Sequence, residues 1–222
     1  MPIQVDLSIL ELVCSRLCHD VVGPVGAATN GIELLRELST TQTDDIIDMT
    51  DASARTAWRR LEFFRVAFGY AGGRGGWGTT ELGKLAKGML TDSRVTLDWQ
   101  VADDIDALQG RGGKLVLNLL LLVAEAMPRG GALVVRVKRA GAAIAVSMTG
   151  DGPNATMNPR VANTVQGKIP PGELDSRVIL AHLAYLQIGD AGATVDWSLA
   201  QDQVVVAITL PQEEEAVAAA AE

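Results

Sequence analysis

Apolar residues in the first forty positions recur at alternating spacings of three and four: Leu7, Leu10, Cys14, Leu17, Val21, Pro24, Ala28, Gly31, Leu35 and Leu38. This seven-residue period predicts one long helix over about residues 6–38, with a seam suited to a helical bundle. The stretch STTQTDD breaks the pattern, and Thr43 or Asp44 suits the N-cap of a second helix. Ile47, Thr50, Ala54, Ala57, Leu61, Phe64 and Phe68 then repeat the same spacing. Two antiparallel helices cannot enclose a core between them, and each carries more apolar surface than one partner covers. A homodimer closing a four-helix bundle is therefore expected.

The pattern changes after GYAGGRGGWG, residues 69–78, where six of ten positions are glycine and a flexible linker is expected. TTELGKLAKGML reads as a helix, RVTLDWQVA as a strand, and GKLVLNLLLLVAEAM as a helix so apolar that it must be buried. ALVVRVKR and AAIAVSMT alternate in twos around Ala140-Gly141 and read as a hairpin. A loop rich in Asn, Pro and Gly over 150–172 precedes a helix, DSRVILAHLAYLQI, and a second hairpin, ATVDWSLA with QVVVAITL. The fold class is α+β. A helical hairpin (1–70) and a linker (71–78) lead to a two-layer α/β sandwich (79–211), with helices on one face of a mixed sheet. An acidic, Ala-rich tail (212–222) ends the chain.

Composition narrows the setting. The net charge of −8 over 222 residues argues against general binding to nucleic acid or an anionic membrane, which needs a concentrated Lys/Arg surface. No basic segment followed by an apolar run opens the chain, and the longest apolar stretch, Leu115 to Ala124, is about half a membrane span of roughly 20 residues. A soluble cytoplasmic protein is expected. The two cysteines, Cys14 and Cys18, sit one turn apart and suit neither a disulfide framework nor a closed zinc site. No metal site is expected.

With Leu7 at heptad position a, His19 falls at f, farthest from the bundle axis, so its imidazole should face solvent. On its own stripe lie Arg16 and Gly23, and Gly26 follows one turn on, leaving bare backbone beside the ring. Glycine and proline are costly in a helix, and Pro24 also leaves the carbonyl of Asp20 without a helical partner, which predicts a bend. Bare backbone beside a nucleophile is what a docking protein needs to approach it. An exposed neutral imidazole has a ring nitrogen with a free lone pair, able to attack a phosphoryl group in line. Asp20 is a candidate to orient the ring, although adjacent helical residues diverge by about 100°. Arg16, Arg55 and Arg59 are candidates for a positive patch facing an acidic partner; Arg59 could equally be a solvated pair with Glu62.

CHDVVGPVGAATNGIELL resembles the H-box of the dimerisation and histidine-phosphotransfer domain of two-component histidine kinases, matching at His19, Asp20 and Pro24. Gly23 stands where those kinases often carry the Thr or Asn implicated in phosphatase chemistry. The α/β part resembles their ATP-binding domain, of the Bergerat type, with its motifs degraded. Asn118 occupies the first asparagine place of the N-box, but Leu122 replaces the second, and Met148 stands where MTGDG should begin with the adenine-binding aspartate. Only isolated Gly167 and Gly172 remain where a glycine-rich phosphate loop should be. Leucine offers no oxygen to a hard cation, and a thioether is a weak acceptor.

A kinase-like dimer with its histidine intact and its nucleotide motifs lost resembles the ChpT type of histidine phosphotransferase, over about residues 6–210. The resemblance implies a phosphorelay tied to the cell cycle. His19 takes a phosphoryl group from the receiver aspartate of a hybrid histidine kinase, of the CckA type, and passes it to a response-regulator receiver, of the CtrA type. It further implies that the receiver supplies Mg2+ and that this chain uses no ATP and no cofactor of its own. Two alternatives stay open: an active histidine kinase with a divergent nucleotide site, and a non-catalytic kinase-like scaffold.

Overall fold

The chain is described by a computed structural model covering residues 5–37, 43–70 and 76–211. The expected tail, Leu38 and most of the glycine-rich linker lie outside the described residues. α1 (Leu7–Glu37) and α2 (Thr43–Ala67) form the helical hairpin. They meet closely at Gly31, which is buried; a Cβ there would stand 2.0 Å from Thr50 Oγ1. The seam supplies part of this packing, through Ala57 and Phe64. Other seam residues are open: Leu7, Leu10, Ile47 and Leu61 are all exposed.

α2 buries a second face that the heptad pattern does not predict. Phe63, Val66 and Ala67 are fully buried, and they join the core of the C-terminal part rather than the seam. Ile9 of α1 is buried in that same core, with Leu12 partly buried against it. The chain's own α/β layer thus covers part of the apolar surface that two helices cannot bury between themselves.

Polar side chains fasten this contact. The last carbonyls of a helix have no partner within it and need donors from elsewhere. At the end of α2, Gln187 Nε2 donates to the Ala67 carbonyl at 3.0 Å, and Lys114 Nζ donates to the Gly69 carbonyl at 2.5 Å. Lys114 is buried, and desolvation pushes its ammonium pKa down; at a helix C-terminus a cation is favourably placed.

β1 (Trp77–Gly78), at the end of the glycine-rich segment, pairs antiparallel with β3 (Ala107–Leu108), and its Trp77 packs on the core. Between and after these come α3 (Thr79–Leu90), β2 (Val95–Val101), α4 (Gly112–Glu125), β4 (Gly131–Ala140) and β5 (Ala143–Asp151). α5 (Pro159–Val165), α6 (Ile179–Asp190), β6 (Thr194–Ala200) and β7 (Gln203–Pro211) follow among the described residues. The main sheet has the order β2-β4-β5-β7-β6, with only β2 and β4 parallel. Alternate residues of β4, β5 and β7 point into one core: Leu133, Val135 and Val137; Ile144, Val146 and Met148; Val204, Val206, Ile208 and Leu210. α4 lies against this face and is buried along nearly its whole length. The expected hairpin turn holds, with Gly141 at φ +61° where a side chain would be strained.

The segment 150–172 is not simply a loop. Its Asn158 Oδ1 accepts from the Arg160 amide at 2.8 Å, and Pro159 occupies the first helical position, so α5 starts on a cap-and-proline signal.

Candidate functional site

α1 stays helical through Pro24 and displays His19 on its outer surface, with 84% of the side chain exposed. The contact that helical geometry alone leaves open is made: His19 Nδ1 lies 3.2 Å from Asp20 Oδ1. A carboxylate only accepts, so a neutral imidazole that keeps this contact carries its proton on Nδ1 and its lone pair on Nε2, directed away from Asp20.

Asp20 is held from two sides. Arg16 Nε donates to its Oδ2 at 3.0 Å, across one turn of the same helix. Arg60, from α2, donates through Nη1 to the Asp20 carbonyl, the group deprived of its helical partner by Pro24. Arg60 was not singled out in the sequence; the signal was the proline itself, which creates an acceptor needing a donor from the neighbouring helix.

Arg16 was expected on the surface offered to a partner. The structure shows it mostly buried and committed to two carboxylates, Asp20 and Glu125 at the end of α4, the latter at 2.5 Å from Nη2. Burial lowers the guanidinium pKa, but Glu125 and Asp20 together outweigh it and hold it above the ordinary value. Glu125 shows the reverse balance: burial raises its carboxyl pKa more than Arg16 lowers it.

Arg59 is likewise engaged, donating to Asp92 at 2.7 Å and to Thr56 at 3.3 Å, so it joins α2 to the turn after α3 and is not a free positive charge. Arg55 remains exposed and pairs with Asp51 one turn away at 2.6 Å. Gly23 and Gly26 lie near His19, and a Cβ on either would meet nothing within 4 Å. Unlike Gly31, neither is a glycine because its own chain crowds it. Cys14 and Cys18 are exposed thiols. Val13, Leu17 and Val21 of α1, Leu61 and Phe64 of α2, and Phe68 just past its end line an apolar groove of about 470 Å³. Among the described residues no three His, Cys, Asp or Glu side chains gather as a metal site, and no helix is long and apolar enough to cross a membrane.

The residues that the sequence compares with nucleotide-binding motifs take part in packing and hydrogen bonding. Asn118 is fully buried, and its Nδ2 donates to the Leu180 carbonyl at 3.0 Å and to Gln187 Oε1 at 2.9 Å. Leu122 and Met148 belong to the continuous core. A Cβ on Gly150 would stand 2.8 Å from Met127 Sδ, and one on Gly152 would stand 2.1 Å from the Gly130 carbonyl. Both glycines permit close packing here, whatever their origin.

Residues 79–203 match the family described as the histidine phosphotransferase C-terminal domain. The protein phosphotransferase ChpT of Brucella abortus (strain 2308) is 32% identical over 209 residues, spanning 92% of this chain and 98% of that one. A solved bacterial phosphotransferase superposes with a TM-score of 0.81 at 29% identity, covering 94% of this chain and 99% of the other. The histidine kinase domain of the Erythrobacter litoralis blue-light activated histidine kinase gives a TM-score of 0.49 at 13% identity, over 87% and 96% of the two chains. The matches to the two phosphotransferases run continuously through both the hairpin and the α/β layer. The chain belongs to the histidine phosphotransferases of the ChpT type.

Proposed function

We propose that this protein carries a phosphoryl group on His19 between two receiver aspartates. The observation that carries the reading is the exposed His19 with its Nδ1 turned to Asp20 and its Nε2 free beside two uncrowded glycines. In the forward step the Nε2 lone pair attacks the phosphorus of an aspartyl phosphate. The N–P bond forms as the P–O bond breaks, and the receiver aspartate leaves with the electron pair as a carboxylate. The Nδ1 proton stays in place, and the positive charge that develops on the ring faces the Asp20 carboxylate. The return step onto a second aspartate is the same displacement reversed. Little else is asked of the carrier than a positioned nucleophile, since the receiver brings the acidic pocket and its Mg2+.

The donor is the receiver of a hybrid histidine kinase of the CckA type and the acceptor a response regulator of the CtrA type. Gly23 and Gly26 clear the approach, and Arg55, exposed and paired only with the exposed Asp51, exchanges that partner for the acidic surface of the receiver. The protein works without ATP: Leu122 and Met148 fill the core where a metal-binding amide and an adenine-binding carboxylate would be needed. It acts as a homodimer in which the exposed seam of one hairpin meets that of a second copy, closing four helices over the apolar groove.

The test is transfer of labelled phosphate from a phosphorylated receiver to the wild-type protein and to His19→Gln. Label should appear in the wild type and vanish in the variant. Labelling of the wild type by ATP alone would instead assign it as a kinase, and relay activity surviving in His19→Gln would assign it as a scaffold.

A further inference from the structure

The α/β layer touches the hairpin close to the histidine through one charged contact, Arg16 with Glu125. Glu125 is an odd residue for its place. It ends α4, whose preceding residues from Leu115 to Ala124 are apolar except for Asn118. A carboxylate at a helix C-terminus faces the negative end of the dipole, and this one is only about a third exposed. Stability alone would place an apolar or basic residue there. What Glu125 gains is Arg16, and Arg16 is also the group that fixes Asp20 Oδ2.

The contacts run as an unbroken series: Glu125 Oε1 to Arg16 Nη2, Arg16 Nε to Asp20 Oδ2, and Asp20 Oδ1 to His19 Nδ1. An exposed Arg16–Asp20 pair one turn apart would be weak and would sample many rotamers. Clamped at its far end by Glu125, the guanidinium has one orientation, and with the Asp20 backbone pinned by Arg60 the carboxylate has one as well.

We propose that Glu125 is a positioning residue for phosphotransfer, holding His19 in the Nδ1–H tautomer through Arg16 and Asp20, so that the second layer sets the nucleophile. The inference rests on the phosphotransfer reading of His19. It gives the second layer a part in the transfer itself that does not depend on binding nucleotide.

Three variants of the full chain test it, each checked for folding by circular dichroism: Glu125→Ala, Glu125→Gln, and the double exchange Arg16→Glu with Glu125→Arg. The imidazole 15N shifts of His19 report the tautomer without any phosphate donor. The wild type should be Nδ1–H, and Glu125→Ala should shift toward a mixture with Nε2–H; an unchanged tautomer overturns the proposal. Transfer from a phosphorylated receiver should fall between about 10- and 100-fold in Glu125→Ala, the scale of a misplaced reactive group. Glu125→Gln keeps an acceptor for Arg16 and should fall less. The double exchange restores an ion pair between the layers but sets a carboxylate beside Asp20, so transfer should stay low although stability recovers. Recovery of transfer in that variant would show that the contact serves only to join the layers, and would overturn the proposal. Should the wild type accept no phosphate, the reading of His19 as carrier falls, while the 15N shifts still decide what Glu125 does.

Discussion

The hairpin and the α/β layer use the same aliphatic residues to opposite effect. In α4, Leu115, Leu117, Leu119 and Leu120 are completely buried by the chain itself, whereas in the hairpin Leu7 is 67% exposed and Leu10 55%. Phe63, Val66 and Ala67 of α2 and Ile9 of α1 belong to the first kind, and Leu7, Leu10, Ile47 and Leu61 to the second, so the division runs through the hairpin rather than between the layers. A single copy satisfies the α/β layer and leaves the seam unsatisfied.

One truncation made in both regions tests this most strongly. Leu120→Ala should cost about 2–5 kcal/mol in urea unfolding, at any protein concentration. Leu10→Ala should cost within about 0.5 kcal/mol in dilute protein and more at concentrations where hairpins associate. A Leu10 effect that ignores concentration would remove the contrast.

The glycines of α1 divide in the same way, and the next two effects in size follow from them. Gly31→Ala should destabilise by about 1–3 kcal/mol, because the new methyl collides with Thr50 Oγ1. Gly26→Ala, in open space, should raise helix stability by up to about 1 kcal/mol while slowing transfer from a receiver. A variant that gains stability without losing transfer would separate Gly26 from docking.

The smallest effect concerns the chain's two histidines, one in each region. His19 is exposed, whereas His182 of α6 is buried beside Tyr185, and desolvation holds its imidazole pKa below the ordinary value. The unfolded chain therefore takes up this proton first. Its contribution to stability is complete above about pH 6.5 and is lost as pH falls below it. Comparing melting temperatures at pH 7.5 and 5.5, His182→Gln should lose less on acidification than the wild type; equal losses would refute the assignment.

What the sequence discloses follows from distance along the chain. The lengths of α1 and α2, the strand pairs and the exposure of His19 rest on periods of two, three or four residues, and all are present in the structure. The second face of α2 carries no such mark, since Phe63, Val66 and Ala67 meet elements far along the chain. The site divides likewise. His19 and the open space at Gly23 and Gly26 follow from helical spacing, but the partner of Arg16 lies 109 positions away. Neighbouring charges on a helix show where an arginine starts and not where its guanidinium ends. α5 differs, because Asn158-Pro159 is a local signal that composition had masked.

Arg60 carries one more consequence. A proline in mid-helix ordinarily opens a backbone gap to water, and the turns on either side can then fray separately. Here the exposed acceptor is closed by a guanidinium from the facing helix. In hydrogen-exchange terms, the amides before and after Pro24 should open together with α2, as one cooperative unit. Removing the arginine should divide α1 into two segments with different protection, and the boundary would fall beside the histidine.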